Sequence, residues 1–161
     1  MATSLKNLSE YDIQSINNSA DFRIGIVVSE WNKHITSKLL EGAKETLLAC
    51  GVVESNISVN EVPGAFELPL GCQWMASNNN IDAVIAIGVV IQGETRHFDF
   101  VCSGATQGIV DVTLKFNKPI GFCLLTDNTE QQSIDRAGGK HGNKGVEAAV
   151  TVLKMLSLKK D

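Results

Sequence analysis

Nine consecutive residues without a charge, Ala83-Val-Ile-Ala-Ile-Gly-Val-Val-Ile91, constrain this chain more than any other stretch. The run is far shorter than the roughly 20 residues a membrane helix needs. Polar Asn78-Asn79-Asn80 precedes it and Gly93 follows it. A short β-branched run between turn signals reads as a strand buried on both faces. Burial on both faces requires helices above and below, which implies a parallel sheet in an α/β domain.

The flanking sequence alternates accordingly. Phe22 to Val28 is a β-rich run. Ile35, Leu39, Ala43 and Leu47 then recur at helical spacing, and Gly51 supplies a stop. Ile57 to Val62 is a second strand, closed by Pro63-Gly64, with a helix expected from about Glu67 to Ser77. After the central run, Ala105, Ile109, Val112 and Phe116 mark a helix that ends before Pro119. Ile120 to Leu125 is a fourth strand. A short helix is expected over residues 129–137, broken by Gly138-Gly139. The final helix starts near Asn143 and carries Val146, Ala149, Val150, Leu153 and Leu156 on one face. The expected architecture is a three-layer α/β sandwich, with a four-stranded, mainly parallel sheet and helices on both faces.

Residues 21–161 form one domain on this reading, long enough to bury a full core. Residues 1–20 read as an extension rich in Asn and Ser. It is either partly disordered or packed on a neighbouring subunit through Leu5, Leu8, Ile13 and Ile16. The formal net charge is -4 and no block rich in Lys or Arg occurs, which argues against nucleic acid as a partner. No run is apolar enough to span a membrane or serve as a secretory signal, so a cytoplasmic protein is expected. Cys50, Cys72, Cys102 and Cys123 lie inside apolar patterns without C-x-x-C pairing and read as core cysteines. His34, His97 and His141 lack metal-motif spacing, so no metal site is expected. Trp74 falls within a helix and reads as packing.

Ligands of parallel α/β sheets bind beyond the carboxyl ends of the strands. Those positions hold Ser29-Glu30-Trp31-Asn32, Pro63-Gly64-Ala65-Phe66-Glu67, Gly93-Glu94-Thr95-Arg96-His97 and Thr126-Asp127. The third block is the most informative. A glycine turn into a helix leaves backbone N–H groups at a positive dipole end, which suits an anion such as phosphate. His97 stands at its lip, and imidazole moves protons near neutral pH. An ordinary surface histidine, with Thr95 as a plain helix cap, is the competing reading.

Four segments carry a resemblance: Phe-Arg-Ile-Gly-Ile-Val-Val-Ser-Glu-Trp-Asn (22–32), Val-Pro-Gly-Ala-Phe-Glu-Leu-Pro (62–69), Gly-Val-Val-Ile-Gln-Gly-Glu-Thr-Arg-His-Phe (88–98) and Arg-Ala-Gly-Gly-Lys-His-Gly-Asn-Lys-Gly (136–145). Together the chain resembles the 6,7-dimethyl-8-ribityllumazine synthases over about residues 21–158. The resemblance implies a flavodoxin-like topology. It also implies condensation of 5-amino-6-(D-ribitylamino)uracil with 3,4-dihydroxy-2-butanone 4-phosphate, releasing phosphate and water without a metal or organic cofactor. His97 takes the place of the catalytic histidine. Gly93, Glu94, Thr95, Arg136 and Lys144 match positions at the butanone phosphate. Trp31, Ala65, Phe66, Glu67, Val89, Val90, Ile91 and Phe122 match positions around the pyrimidine and its ribityl chain.

Three positions depart from common family forms. Arg96 adds positive charge beside His97. Val89 stands where threonine is frequent, and Gln92 where arginine is frequent. Relatives form pentamers with sites between adjacent subunits, and many stack twelve pentamers into a sixty-subunit shell. The short Gly138–Gly142 link favours the shell, with riboflavin synthase as a candidate companion. The alternative is a non-catalytic flavin- or lumazine-binding shell protein on the same scaffold.

Overall fold

The computed structural model describes residues 7, 9–12, 16 and 19–160. Four parallel strands make the sheet: β1 (Ile24–Ser29), β2 (Ile57–Val62), β3 (Ala83–Ile91) and β4 (Ile120–Asp127), in the order β2-β1-β3-β4. Helices α1 (Lys33–Ala49), α2 (Leu68–Ser77) and α3 (His97–Phe116) connect them, with a 3-10 turn at Ala65–Glu67 leading into α2. After β4 come the short α4 (Glu130–Asp135), a hairpin of β5 (Ala137–Gly139) and β6 (Gly142–Asn143), and α5 (Lys144–Lys160). This is the flavodoxin-like α/β sandwich that the resemblance implies.

The sheet divides the core in two. One face joins Ile24, Ile26, Val28, Ile85 and Ile87 to Leu39 and Leu47 of α1 and Leu153 of α5. The other joins Val27, Val84 and Ala86 to Leu68 and Cys72 of α2 and Ile109 of α3. Successive strand residues alternate between these faces, so a fully buried strand needs no polar position, as in β1 and most of β3. No described helix is long and apolar enough to cross a membrane.

Several elements differ from expectation for identifiable reasons. Strand β4 runs two residues past Leu125 because Thr126 and Asp127 still pair with Val90 and Ile91. The Gly138-Gly139 break is part of a hairpin, where Gly138 and Gly142 adopt φ of 101° and 81°. Only glycine takes that backbone without strain. Trp74 is 64% exposed, because α2 buries the face carrying Leu68, Gly71, Cys72 and Met75 and position 74 points away from it. Of the residues expected to seat the N-terminal extension on a neighbour, Leu5, Leu8 and Ile13 lie outside the described residues. Ile16 is buried in this chain's own core, and Tyr11 packs beside it.

Cys50, Cys72 and Cys123 are buried and unpaired, as expected, whereas Cys102 is half-buried. Burial pushes the Cys72 and Cys123 thiols up to about 12. Thiolates are the reactive species. Cys72 and Cys123 are therefore expected to resist maleimide in the native protein and to label only after denaturation. Mass spectrometry of labelled peptides checks this, and native labelling at either residue would contradict it.

Candidate functional site

The sheet's topology places the ends of β1, β2 and β3 side by side. Beyond β1 the backbone turns sharply. The Glu30 N–H donates to the Val62 carbonyl (2.9 Å), and the Trp31 N–H to the Pro63 carbonyl (3.3 Å). Asn32 then starts α1 in the left-handed region, with φ 59°. Asparagine tolerates that conformation better than most residues. Its side-chain amide donates to the Val89 carbonyl (3.3 Å), tying this loop to β3. Trp31 is left 72% exposed at the sheet's rim.

The β2 end folds against the same rim. A Cβ on Gly64 would approach Glu67 Oε2 to 2.9 Å and the Trp31 ring to 3.5 Å. Gly64, Glu67 and Trp31 are therefore immediate neighbours. Ala65 is buried and Phe66 is exposed. The Phe66 ring lies on α3, where a Cβ at Gly104 would come within 2.8 Å of it. Gly108, one turn further along, meets Pro69 in the same way. His97, Gly104 and Gly108 fall on one stripe of α3, at i, i+7 and i+11. His97 thus heads the α3 stripe on which Phe66 packs, about 10 Å along the helix axis from Phe66's contact point.

Residues 92–97 are all exposed. The Thr95 hydroxyl accepts from the His97 backbone N–H (3.4 Å), so Thr95 does support the helix start. Gly93 faces open space, and a methyl placed on it would meet nothing within 4 Å. The Arg96 guanidinium lies near Asp99 (3.5 Å) and over the Phe100 ring (5.9 Å to its centroid). Its charge is shared with those groups rather than directed at His97 alone. Val89 is buried, while Val90 and Ile91 are half-buried at the strand's end.

A second group forms beyond β4. Gln92 donates its backbone N–H to the Asp127 carbonyl (2.9 Å), joining the two strand ends. Thr129 caps α4 by accepting from the Gln132 N–H (3.4 Å). Arg136 closes α4, and Arg136 Nη1 donates to the Gln132 carbonyl (2.8 Å). Lys144 joins this group through its backbone N–H, which donates to the Arg136 carbonyl (2.8 Å). The Lys144 side chain is 13% exposed, and its ammonium is ion-paired with Glu147. The Asp135 carboxylate turns to other partners, Lys140 (2.9 Å) and Gln131 (2.9 Å). Those two hydrogen bonds hold the Asp135 carboxyl below its usual range.

Phe122 stands apart. It pairs in register with Ala86, five residues before Ile91. At ~3.3 Å per residue it lies about 16 Å down the sheet from the strand ends. It is 37% exposed on the edge strand β4. The chain therefore carries Trp31, Phe66, Glu67, Val90, Thr95 and His97 at or just beyond the carboxyl ends of β1, β2 and β3, and does not bring Phe122 to them.

A family model described as 6,7-dimethyl-8-ribityllumazine synthase matches residues 21–160. The chain belongs to the 6,7-dimethyl-8-ribityllumazine synthase family. A relative of that name from Flavobacterium johnsoniae is 59% identical over 155 residues, covering 96% of this chain and 82% of the relative. One from Parabacteroides distasonis is 55% identical over 98% of both chains. Another, from Christiangramia forsetii, is 54% identical over 100% of this chain and 96% of its own. Membership of the lumazine synthase family makes this chain a transferase of riboflavin biosynthesis.

Two residues of this region are not evident from sequence. Asn32 is legible as a strand-end residue, but its positive φ and its bond to β3 are not. Asp127 looks like an ordinary turn residue, yet it is buried beside Arg136. The available signal for both is their place at or directly after a strand end.

Proposed function

We propose that this chain condenses 5-amino-6-(D-ribitylamino)uracil with 3,4-dihydroxy-2-butanone 4-phosphate, with His97 moving the protons. The amine attacks the ketone and loses water to form an imine. Phosphate then leaves by elimination to an enol that tautomerises to a ketone, and attack of the ribitylamino nitrogen on that ketone, with loss of a second water, closes the lumazine. Imine formation and phosphate loss both need a group that gives and takes protons, and imidazole does both. The exposed helix start at Gly93, Glu94 and Thr95 is the seat for the phosphorylated substrate, through backbone N–H groups and the Thr95 hydroxyl. Glu94 serves through its backbone, because its carboxylate would repel an anion. Arg136 supplies a guanidinium suited to phosphate. Lys144, turned towards Glu147, adds positive charge behind it.

The pyrimidine stacks on Trp31 and is bordered by Phe66, Val89, Val90, Ile91 and Phe122. Ala65 and Glu67 face its ribityl chain. The observation that carries this reading is the position of His97, at the head of the α3 stripe that also receives Phe66, with Thr95 bonded to its N–H. The distance to Phe122 supports a site completed by an adjacent subunit. The exposed side chains Trp74, Phe100 and Leu114 support the same arrangement, since they give the α2 and α3 side apolar surface for a neighbour. A pentamer, with twelve pentamers closing a shell, fits the short hairpin at Gly138–Gly142. The cytoplasm is the proposed compartment.

Purified protein mixed with both substrates should produce lumazine fluorescence and inorganic phosphate above the spontaneous background. No rate above background would refute the activity. Arg136→Ala is expected to raise KM for the butanone phosphate about tenfold, as for the loss of a charge-assisted hydrogen bond, and to leave KM for the pyrimidine unchanged. Equal rises in both constants would count against a phosphate role. Sedimentation separates free pentamers from sixty-subunit shells.

A further inference from the structure

We propose that Asp127 is a positioning residue, whose buried carboxylate holds the Arg136 guanidinium in place for the phosphorylated substrate. The inference rests on the proposed phosphate role of Arg136.

Asp127 ends β4 and is 8% exposed. Its two carboxylate oxygens face different partners. Oδ2 accepts from the Ser133 hydroxyl (2.7 Å), and Ser133 is itself fully buried on α4. Oδ1 lies 3.9 Å from Arg136 Nε. That separation is an ion-pair contact rather than a hydrogen bond. One acid therefore holds both the short helix and the side chain at its end. The other nearby acid, Asp135, is committed to Lys140 and Gln131.

The guanidinium is thereby held at two of its three nitrogens. Nε faces Asp127, and Nη1 donates to the Gln132 carbonyl (2.8 Å). Among the described residues Nη2 meets no hydrogen-bond acceptor and is left for an anion. A free arginine side chain loses rotamer entropy on binding, and a guanidinium already held loses less. A carboxylate also neutralises part of the cation, which opposes phosphate binding. The two effects predict opposite signs, so a measurement separates them.

Asp127→Asn keeps an oxygen for Ser133 and removes the charge facing Arg136. Steady-state kinetics with each substrate varied in turn are expected to show KM for the butanone phosphate rising about fivefold. KM for the pyrimidine and kcat should stay near wild type. In an Arg136→Ala background the same substitution should add nothing to KM. Asp127→Glu, which restores the charge, should recover part of the loss.

Five results would overturn the proposal. A lower KM in Asp127→Asn would mean that neutralisation dominates. A parallel change in both KM values would mean a general structural role, as would the full Asp127→Asn factor reappearing in the Arg136→Ala background. An unchanged KM in Asp127→Asn, with a raised KM in Arg136→Ala, would sink the positioning role alone. An unchanged KM in Arg136→Ala would sink the phosphate role, and this inference with it.

Discussion

Replacing His97 by alanine is expected to lower kcat by roughly 10²- to 10⁴-fold, the range for loss of a general acid–base group. The imidazole is solvent-exposed, and the His97 backbone N–H donates to the Thr95 hydroxyl. Alanine retains that N–H and is a strong helix former, so stability should move by less than about 0.5 kcal/mol. This separates chemistry from folding more cleanly than a buried residue would allow. Spontaneous condensation sets the floor, so the rate must be measured with the uncatalysed reaction subtracted. Added imidazole should restore part of the activity if proton transfer is the missing step. Turnover equal to wild type would remove His97 from the mechanism.

A second large effect falls on stability. Gly145→Ala is expected to destabilise the protein by about 2–4 kcal/mol and to lower its melting temperature by roughly 5–15 °C. The added methyl would land on the backbone of α1, overlapping the Leu39 carbonyl oxygen and lying 2.9 Å from its carbon. Backbone inside a helix cannot rotate away as a side chain would. Alanine's better helix propensity, worth ~1 kcal/mol over glycine, offsets only part of the cost. Gly93→Ala is the matching control, because a methyl there meets nothing within 4 Å. Calorimetry or chemical denaturation of the two variants tests the contrast. Equal stabilities would show that α5 simply shifts to make room.

The strand bounds are the most legible part of the fold. Strand β3 begins and ends where its apolar run does, and β2, though mostly exposed, keeps the expected Ile57–Val62 because Pro63-Gly64 closes it. The start of α3 is less visible. The first buried residue of that helix is Ala105, whereas the helix itself opens at His97 among exposed residues. Periodicity reports burial, so an exposed first turn leaves no trace in it. The β5–β6 hairpin leaves no signal either, because two short strands carry no alternation and paired glycines read as a break.

In the site, His97 and Thr95 are legible because a glycine turn between strand and helix has a chemical meaning of its own. Arg136 is legible only through resemblance. Its setting depends on Asp127 and Ser133, six residues apart, meeting through a strand-to-helix turn. Phe122 shows as a strand residue, but its distance from the other site residues needs the register of β3 and β4.

The strand order has a consequence for biogenesis. Strand β1 emerges from the ribosome before the others, yet it occupies an interior place between β2 and β3. Its lining residues Ile24, Ile26 and Val28 share a cluster with Leu153 on α5, which is translated far later. At synthesis rates of roughly 5–20 residues per second, that side of the nascent sheet has α1 but not α5 over it for several seconds. Chaperone demand during translation should therefore peak before α5 clears the exit tunnel.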